Sequence, residues 1–356
     1  MPPLDSPDAF LDHILTRFYG DLQTAVADNY DAERFNYGGV DRSQDDYLPV
    51  HFATLKSLIR ETESYYRAWS LLGDEDSKRL FIDLLRYRLA GHKHVRLPTN
   101  TPEHWAIRKI GHAMPSSPSA LAIPSVLGWQ ISHMEFVFEG DAIKIDGYGA
   151  PLWPFQYRQY FYEKNGVRIR PEHGDHVIDA GAGFGDTSLA FGQAVGRDGW
   201  VYMLEMLEAH VKFCRLNAEQ NAGLSHFKII ERGLSDAVFT PERKLPQADA
   251  YDPGFTLEEG NQTFATSTVD HLVAQGEIPR VDFIKMDIEG SEMRALHGAA
   301  QTLRTFRPKL AISVYHDVRH FYEVPIFIDA LGLGYKFHLD HYTIHMGETV
   351  LYAAIE

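Results

Sequence analysis

The stretch VIDAGAGFGDT, Val177 to Thr187, decides how this chain is built. It opens on apolar residues that suit a buried strand and then reaches Asp179. Glycines follow at 181, 183 and 185, and Asp186 and Thr187 lead into DTSLAFGQAV, whose apolar spacing predicts a helix. Strand, tight turn and helix in that order put the turn at the carboxyl end of a strand, where α/β sheets bind ligands. Glycine carries no Cβ, so such a turn accepts positive φ and lets a ligand approach the backbone. The glycines also fit two other readings, a dinucleotide pyrophosphate or plain strand-to-helix packing. Asp186 argues against the pyrophosphate: a carboxylate at the helix start repels it but tolerates a cationic or zwitterionic ligand.

Outward from this turn, strand-like and helix-like segments alternate. WVYMLE (200–205), FKIIER (227–232), VDFIKMD (281–287) and KLAISVY (309–315) read as strands. EAHVKFCRLNAEQN (208–221), SEMRALHGAAQTL (291–303) and VPIFIDALGLG (324–334) read as helices, and a less regular region precedes residue 281. Repeated strand–helix units need right-handed crossovers, which make a parallel sheet covered on both faces. The closing pair, YKFHL and ETVLYAA, is joined by a loop alone, so one strand must run antiparallel.

Towards the N-terminus the pattern changes. Residues 1–150 read as a mainly helical domain and residues 151–356 as the α/β domain. Ser6 and Pro7 form a helix start, and Leu55, Leu58 and Ile59 followed by Tyr65, Tyr66 and Trp69 predict one long helix over 50–72. Leu80, Phe81, Leu84 and Leu85 predict another that stops at Gly91. The aromatic stripes are read as core. MPSSPSALAIPSV (114–126) reads as loop, HMEFVFEGDAIKIDG as a hairpin near 134–146, and PFQYRQYFYEKNGV (154–167) as a connecting helix.

Composition bounds the function. Lys and Arg number 34 against 49 Asp and Glu, a formal charge of −15, which disfavours nucleic acid and anionic membrane surfaces as partners. The single cysteine, Cys214, excludes an internal disulfide and suits a reducing compartment. No basic-then-apolar leader and no long apolar run is seen, so a soluble, cytoplasmic protein is expected. The aromatic-bearing N-terminal helices suggest a homodimer.

Glu205 ends the second strand, twenty residues past Gly185, where an acid can accept both hydroxyls of a ribose. That suits NAD and S-adenosylmethionine alike. The fourth strand discriminates, because Asp287, Glu289 and Glu292 follow it in DIEGSE. Three carboxylates are costly beside a pyrophosphate and suit a sulfonium, a metal or an acid–base role. A dehydrogenase is therefore the weaker reading, and a non-catalytic adenosyl-ligand-binding scaffold is the third.

VIDAGAGFGDTS, FIKMDIEGSEMRALHGA, RPKLAISVYH and ETVLYAA together resemble the FkbM family of S-adenosylmethionine-dependent O-methyltransferases, over roughly residues 165–356. The resemblance implies a class I, Rossmann-like methyltransferase fold with a seven-stranded, mostly parallel sheet. It implies methyl transfer to a hydroxyl of a sugar or a glycosylated natural product, with a small hydroxylated molecule as partner. It places cofactor contacts at Asp179, Gly181, Gly183, Gly185, Asp186 and Thr187, ribose contacts at Glu205, adenine contacts around Leu234 and Ser235, and Asp287 at the cofactor–acceptor junction.

A sugar hydroxyl is a poor nucleophile and needs a base or an acidifying metal. His316, after the fifth strand, is the first candidate base, with His338 and His341 behind it. Asp287, Glu289 and His316 also offer ligands of the kind that hold Mg²⁺ or Mn²⁺, although Glu292 equally suits the next helix's N-terminus. Lys285, inside the fourth strand, needs a partner such as Asp179 or Asp287.

Overall fold

The glycine turn lies where the strand His176–Ala180 gives way to the helix Asp186–Val195, as its sequence requires. In the computed structural model, residues 4–35, 48–121, 131–243 and 264–355 are described. Elements are numbered along the chain. The chain divides by contact into two units, residues 1–105 with 313–356, and residues 106–312.

The first unit holds helices α1 (Pro7–Asp21), α2 (Ala32–Phe35), α3 (Leu48–Arg60), α4 (Thr62–Leu71) and α5 (Glu75–Ala90). From the far end of the chain it takes α13 (His320–Ala330) and strands β14 (Tyr335–His341) and β15 (Thr349–Ile355). Ser6 caps α1, its side chain accepting from Ala9 N, and Asp74 caps α5 in the same way through Ser77 N. The expected long helix breaks at Glu61, whose φ of −116° and ψ of 29° leave the helical region, giving α3 and α4. α3 buries Thr54 and Leu58, α4 buries Tyr65 and Ala68, and Ile59 stays 54% exposed. The Phe10 ring meets Trp69 at 5.6 Å and Tyr65 meets Tyr322 at 4.8 Å, so these aromatics pack the interior. Strands β14 and β15 pair antiparallel from Tyr335↔Ile355 to His341↔Thr349, and β14 runs two residues past YKFHL.

The second unit begins with most of α6 (Pro102–Ala113) and the short strand β1 (Ser117–Pro118). The hairpin β2 (Ile131–Phe138) and β3 (Asp141–Tyr148) follows; residues 122–126 of the expected loop fall outside the described residues. The expected connecting helix is not formed. Only α7 (Leu152–Phe155) is helical, and β4 (Tyr162–Lys164) with β5 (Val167–Ile169) makes a hairpin around Asn165 and Gly166, at φ 53° and 79°. An Asn-Gly pair takes two positive φ angles and favours such a turn over helix continuation.

Then come β6 (His176–Ala180), α8 (Asp186–Val195), β7 (Trp200–Leu204), α9 (Glu208–Gln220), β8 (His226–Ile230), β9 (Gly233–Leu234), β10 (Phe239–Arg243) and β11 (Phe264–Ser267). The chain continues with α10 (Val269–Ala274), β12 (Phe283–Met286), α11 (Glu292–His297), α12 (Ala300–Phe306) and β13 (Lys309–Ser313). The less regular region contains a small sheet, β10-β11-β9. The helix expected over 291–303 is split between Gly298 and Ala299, whose φ of −112° and ψ of 1° leave the helical region, and any Cβ on Gly298 would overlap the carbonyl of Ser235.

The main sheet has seven strands in the order β14-β15-β13-β12-β6-β7-β8. β13, β12, β6, β7 and β8 run parallel, and the β14–β15 pair is antiparallel. Strands β6, β7 and β12 are almost wholly buried, as a sheet covered on both faces demands. This is the parallel α/β architecture anticipated from the strand–helix alternation, and the Rossmann-like, seven-stranded, mostly parallel sheet that the resemblance implies. Among the described residues, no helix is long and apolar enough to cross a membrane.

Candidate active site

Strand β6 delivers the turn from Gly181 to Gly185, and the three glycines sit in it differently. All have positive φ, at 74°, 56° and 89°. A Cβ on Gly181 would overlap the carbonyl of Asp287, and one on Gly185 would stand 2.9 Å from Met203 Cε. A Cβ on Gly183 would meet nothing within 4 Å. The outer two glycines therefore serve the protein's own close packing, and the middle one borders open space.

Strand β12 runs beside β6 with Lys285 opposite Asp179. Lys285 is 2% exposed and Asp179 fully buried, and Lys285 Nζ lies 3.0 Å from Asp179 Oδ1. The ammonium also donates to the carbonyls of Ala180 and Gly181, at 3.1 and 2.7 Å. Burial pulls the Lys285 pKa down, but Asp179 and Asp287 outweigh it and the net shift is upward, so the lysine stays charged. Asp179 also accepts from Ser188 Oγ at 2.6 Å. Its side chain is committed to the scaffold, and Lys285 holds the turn's carbonyls in place.

At the end of β7, Glu205 is 7% exposed. Its Oε2 accepts from Gly183 N at 2.9 Å, and its Oε1 from Met206 N and Leu207 N at 2.8 and 2.9 Å. Burial pushes this carboxyl up, but His210 and the backbone donors together leave it below the ordinary glutamate range. Glu205 thus ties the end of β7 to the middle glycine. Asp186 opens α8 and accepts from Thr187 N at 2.9 Å; burial pushes its carboxyl up to about 7. Thr187 is 7% exposed.

At the end of β9, Leu234 and the following Ser235 are both buried, and Ser235 Oγ donates to Asp236 at 2.9 Å. Arg294 donates to Asp236 at 2.8 Å and holds that carboxyl down to about 2. Asp287 follows β12, partly exposed, with Oδ2 accepting from the Tyr160 hydroxyl at 2.8 Å. Glu289 is exposed, while buried Glu292 accepts from Ile288 N at 2.9 Å and closes the start of α11. Glu292 therefore acts as the helix-terminus acid that its position allowed.

The glycine turn, Asp179, Lys285, Asp186, Glu205, Leu234, Ser235 and Asp287 all belong to residues 106–312. The three histidines belong to the other unit. His316 follows β13, half-buried, its ring 4.1 Å from that of Tyr315. His338 and His341 lie within β14. His338 Nδ1 pairs with Asp74 at 2.6 Å, and His341 Nδ1 meets Thr349 Oγ1 at 2.8 Å. Burial lowers the His341 pKa to about 3, so it stays neutral. Tyr160 was not anticipated; its only local sign was membership of the aromatic run YRQYFY, which helical periodicity misread.

Residues 179–338 match the family described as the methyltransferase FkbM domain. The fold is similar to the crystal structure of methyltransferase FkbM from Methylobacillus flagellatus KT, at 19% identity and a TM-score of 0.52. That match covers 89% of this chain, and the chain spans 63% of that structure's length. Weaker likenesses include Aeropyrum pernix fibrillarin with natively bound S-adenosyl-L-methionine, at 12% identity, TM-score 0.34, and 67% and 98% coverage of the two chains. Another is a SAM-dependent methyltransferase from Aquifex aeolicus, at 17% identity, TM-score 0.32, and 53% and 86% coverage. Comparison with curated proteins gives no match.

Proposed function

From the premise that residues 179–338 form a methyltransferase FkbM domain, we propose that this chain moves the methyl group of S-adenosylmethionine onto a hydroxyl oxygen. The acceptor is a sugar or a glycosylated natural product, and the site of action is the cytoplasm. The observation that carries the reading is the middle glycine. Open space borders Gly183, while Asp186 and Asp287 bring carboxylates to the same strand ends. A sulfonium with a zwitterionic tail is the ligand such acids favour. In this reading Glu205 accepts from the ribose hydroxyls, Leu234 and Ser235 border the adenine, and Asp287 stands by the acceptor.

Methyl transfer is an in-line displacement, so most of the protein's contribution is orientation of the acceptor oxygen behind the methyl carbon. His316 takes the hydroxyl proton as general base. Asp287 and His316 are also residue types that would hold Mg²⁺ or Mn²⁺, which when bound acidifies the hydroxyl. The net charge of −15 supports a small acceptor over a polyanion.

The test is calorimetry with S-adenosylmethionine and NAD, followed by labelled S-adenosylmethionine with a panel of hydroxylated sugars, with and without chelator. Binding of S-adenosylmethionine alone and label in a sugar ether support the proposal. NAD binding, or cofactor binding with no transfer to any acceptor, counts against it.

A further inference from the structure

The segment between α7 and β4 is folded in a way that needs a reason. Arg158 and Tyr160 both have positive φ, at 57° and 70°. For residues with a Cβ this conformation is strained, and bulky side chains rarely adopt it. It persists because surrounding bonds over-determine it. Gln156 N and Tyr157 N both donate to Leu152 O, Gln159 N to Trp153 O, and Phe161 N to Arg158 O. The Arg158 guanidinium lies 4.8 Å from the Phe161 ring centre and donates to Glu139 at 2.6 Å.

This locked turn presents the Tyr160 side chain to the end of β12. The ring is 3% exposed and meets Phe191 of α8 edge-on at 6.4 Å. Lys285 Nζ lies 5.2 Å from the ring centre. The hydroxyl accepts from Gln159 Nε2 at 3.2 Å and donates to Asp287 Oδ2 at 2.8 Å. A phenylalanine would serve the packing equally well. The hydroxyl is therefore the part of the side chain that packing leaves unexplained, and its partner is the carboxylate beside the glycine turn.

Building on the methyltransferase reading, we infer that Tyr160 is a positioning residue: it fixes the Asp287 carboxylate so that this acid faces the charged sulfonium and amino-acid end of S-adenosylmethionine. A carboxylate held by one strong charge-assisted bond keeps its plane without waiting for ligand. A freely turning one must be ordered at the moment of binding, which weakens affinity.

The test compares S-adenosylmethionine with 5′-methylthioadenosine, which keeps the nucleoside but lacks the sulfonium charge and the amino-acid tail. Both are titrated calorimetrically into the full chain and its variants. Tyr160→Phe is expected to weaken S-adenosylmethionine binding roughly tenfold and to change 5′-methylthioadenosine binding less than about twofold. Asp287→Asn should show the same selective loss, and the double variant no further loss, because the two residues act as one unit. Equal weakening for both ligands would mark Tyr160 as scaffold and overturn the inference, as would unchanged binding or additive losses. If the wild-type chain binds neither compound, the cofactor reading itself falls, a result distinct from each of these.

Discussion

Lys285 and Asp179, 106 positions apart in the chain, form an ion pair of 3.0 Å with almost no solvent exposure, directly beneath the glycine turn. The lysine neutralises the aspartate and also holds the carbonyls of Ala180, which ends β6, and Gly181, which opens the turn. The turn's conformation is therefore set before any ligand arrives.

Removing one partner of this pair leaves the other charge buried and uncompensated. Lys285→Met is expected to destabilise the fold by about 3–5 kcal/mol. Urea unfolding followed by circular dichroism measures this. A loss under about 1 kcal/mol would mean that water or another cation replaces the ammonium.

The three glycines should separate experimentally. Gly181→Ala drives a methyl group into the Asp287 carbonyl and should lower the melting temperature by several degrees, since a shift of about 1–3 kcal/mol is at stake. Gly183→Val has room for its Cβ and pays mainly the strain of φ 56°, so the protein should fold yet lose S-adenosylmethionine binding. Normal binding by the folded Gly183→Val protein would place the cofactor elsewhere.

Glu205→Ala removes an acceptor for three backbone N–H groups. Cofactor affinity should fall by about 1–3 kcal/mol. Because the folded-state pKa is depressed, the stability from this group is present above the ordinary glutamate pKa and is lost as pH falls through the depressed value. Acid titration of the variant should accordingly show a shallower loss of stability below about pH 4. An acid unfolding curve identical to wild type would remove Glu205 from this role.

Asp186 behaves in the opposite sense. Its carboxyl is raised to about 7 by burial, with Lys285 opposing and Asp179 reinforcing the shift. The free protein takes up a proton here that the unfolded chain has lost, so this group's contribution to stability declines as pH rises from about 4 to 7. A sulfonium favours the ionised form, so S-adenosylmethionine binding should strengthen from about pH 6 to 8 and release a proton. Calorimetry in buffers of different ionisation enthalpy reads that proton directly. Asp186→Asn should abolish the pH dependence, and a wild-type slope in this variant would assign the proton to another group.

His316→Ala is expected to lower turnover by about 10²–10⁴ while cofactor affinity survives. If a metal acidifies the hydroxyl instead, chelator stops the enzyme and Mg²⁺ or Mn²⁺ restores it. A His316→Ala protein with near-normal, chelator-insensitive turnover removes both versions.

By itself the sequence determined what short-range chemistry controls. The alternation of strand and helix from residue 176 onward, the caps at Ser6 and Gly91, the antiparallel closing pair and the site of the glycine turn each depend on neighbours a few residues away. The helix breaks at Glu61 and Gly298 were hidden, because the apolar periodicity continues across both. The Asn165–Gly166 hairpin was legible from its turn pair but lost to the aromatic spacing before it. The sequence offered Asp179 or Asp287 as the partner of Lys285, and tertiary structure chose Asp179; it alone decided that Asp179 also meets Ser188, that Glu205 folds back onto Gly183, and that Gly181 rather than Gly183 is hemmed in by protein. It alone brought Tyr160 to Asp287, 127 residues away. The physical reason is the same throughout: the register of parallel strands and the closure of loops set which distant side chains meet, and neither leaves a periodic trace along the chain.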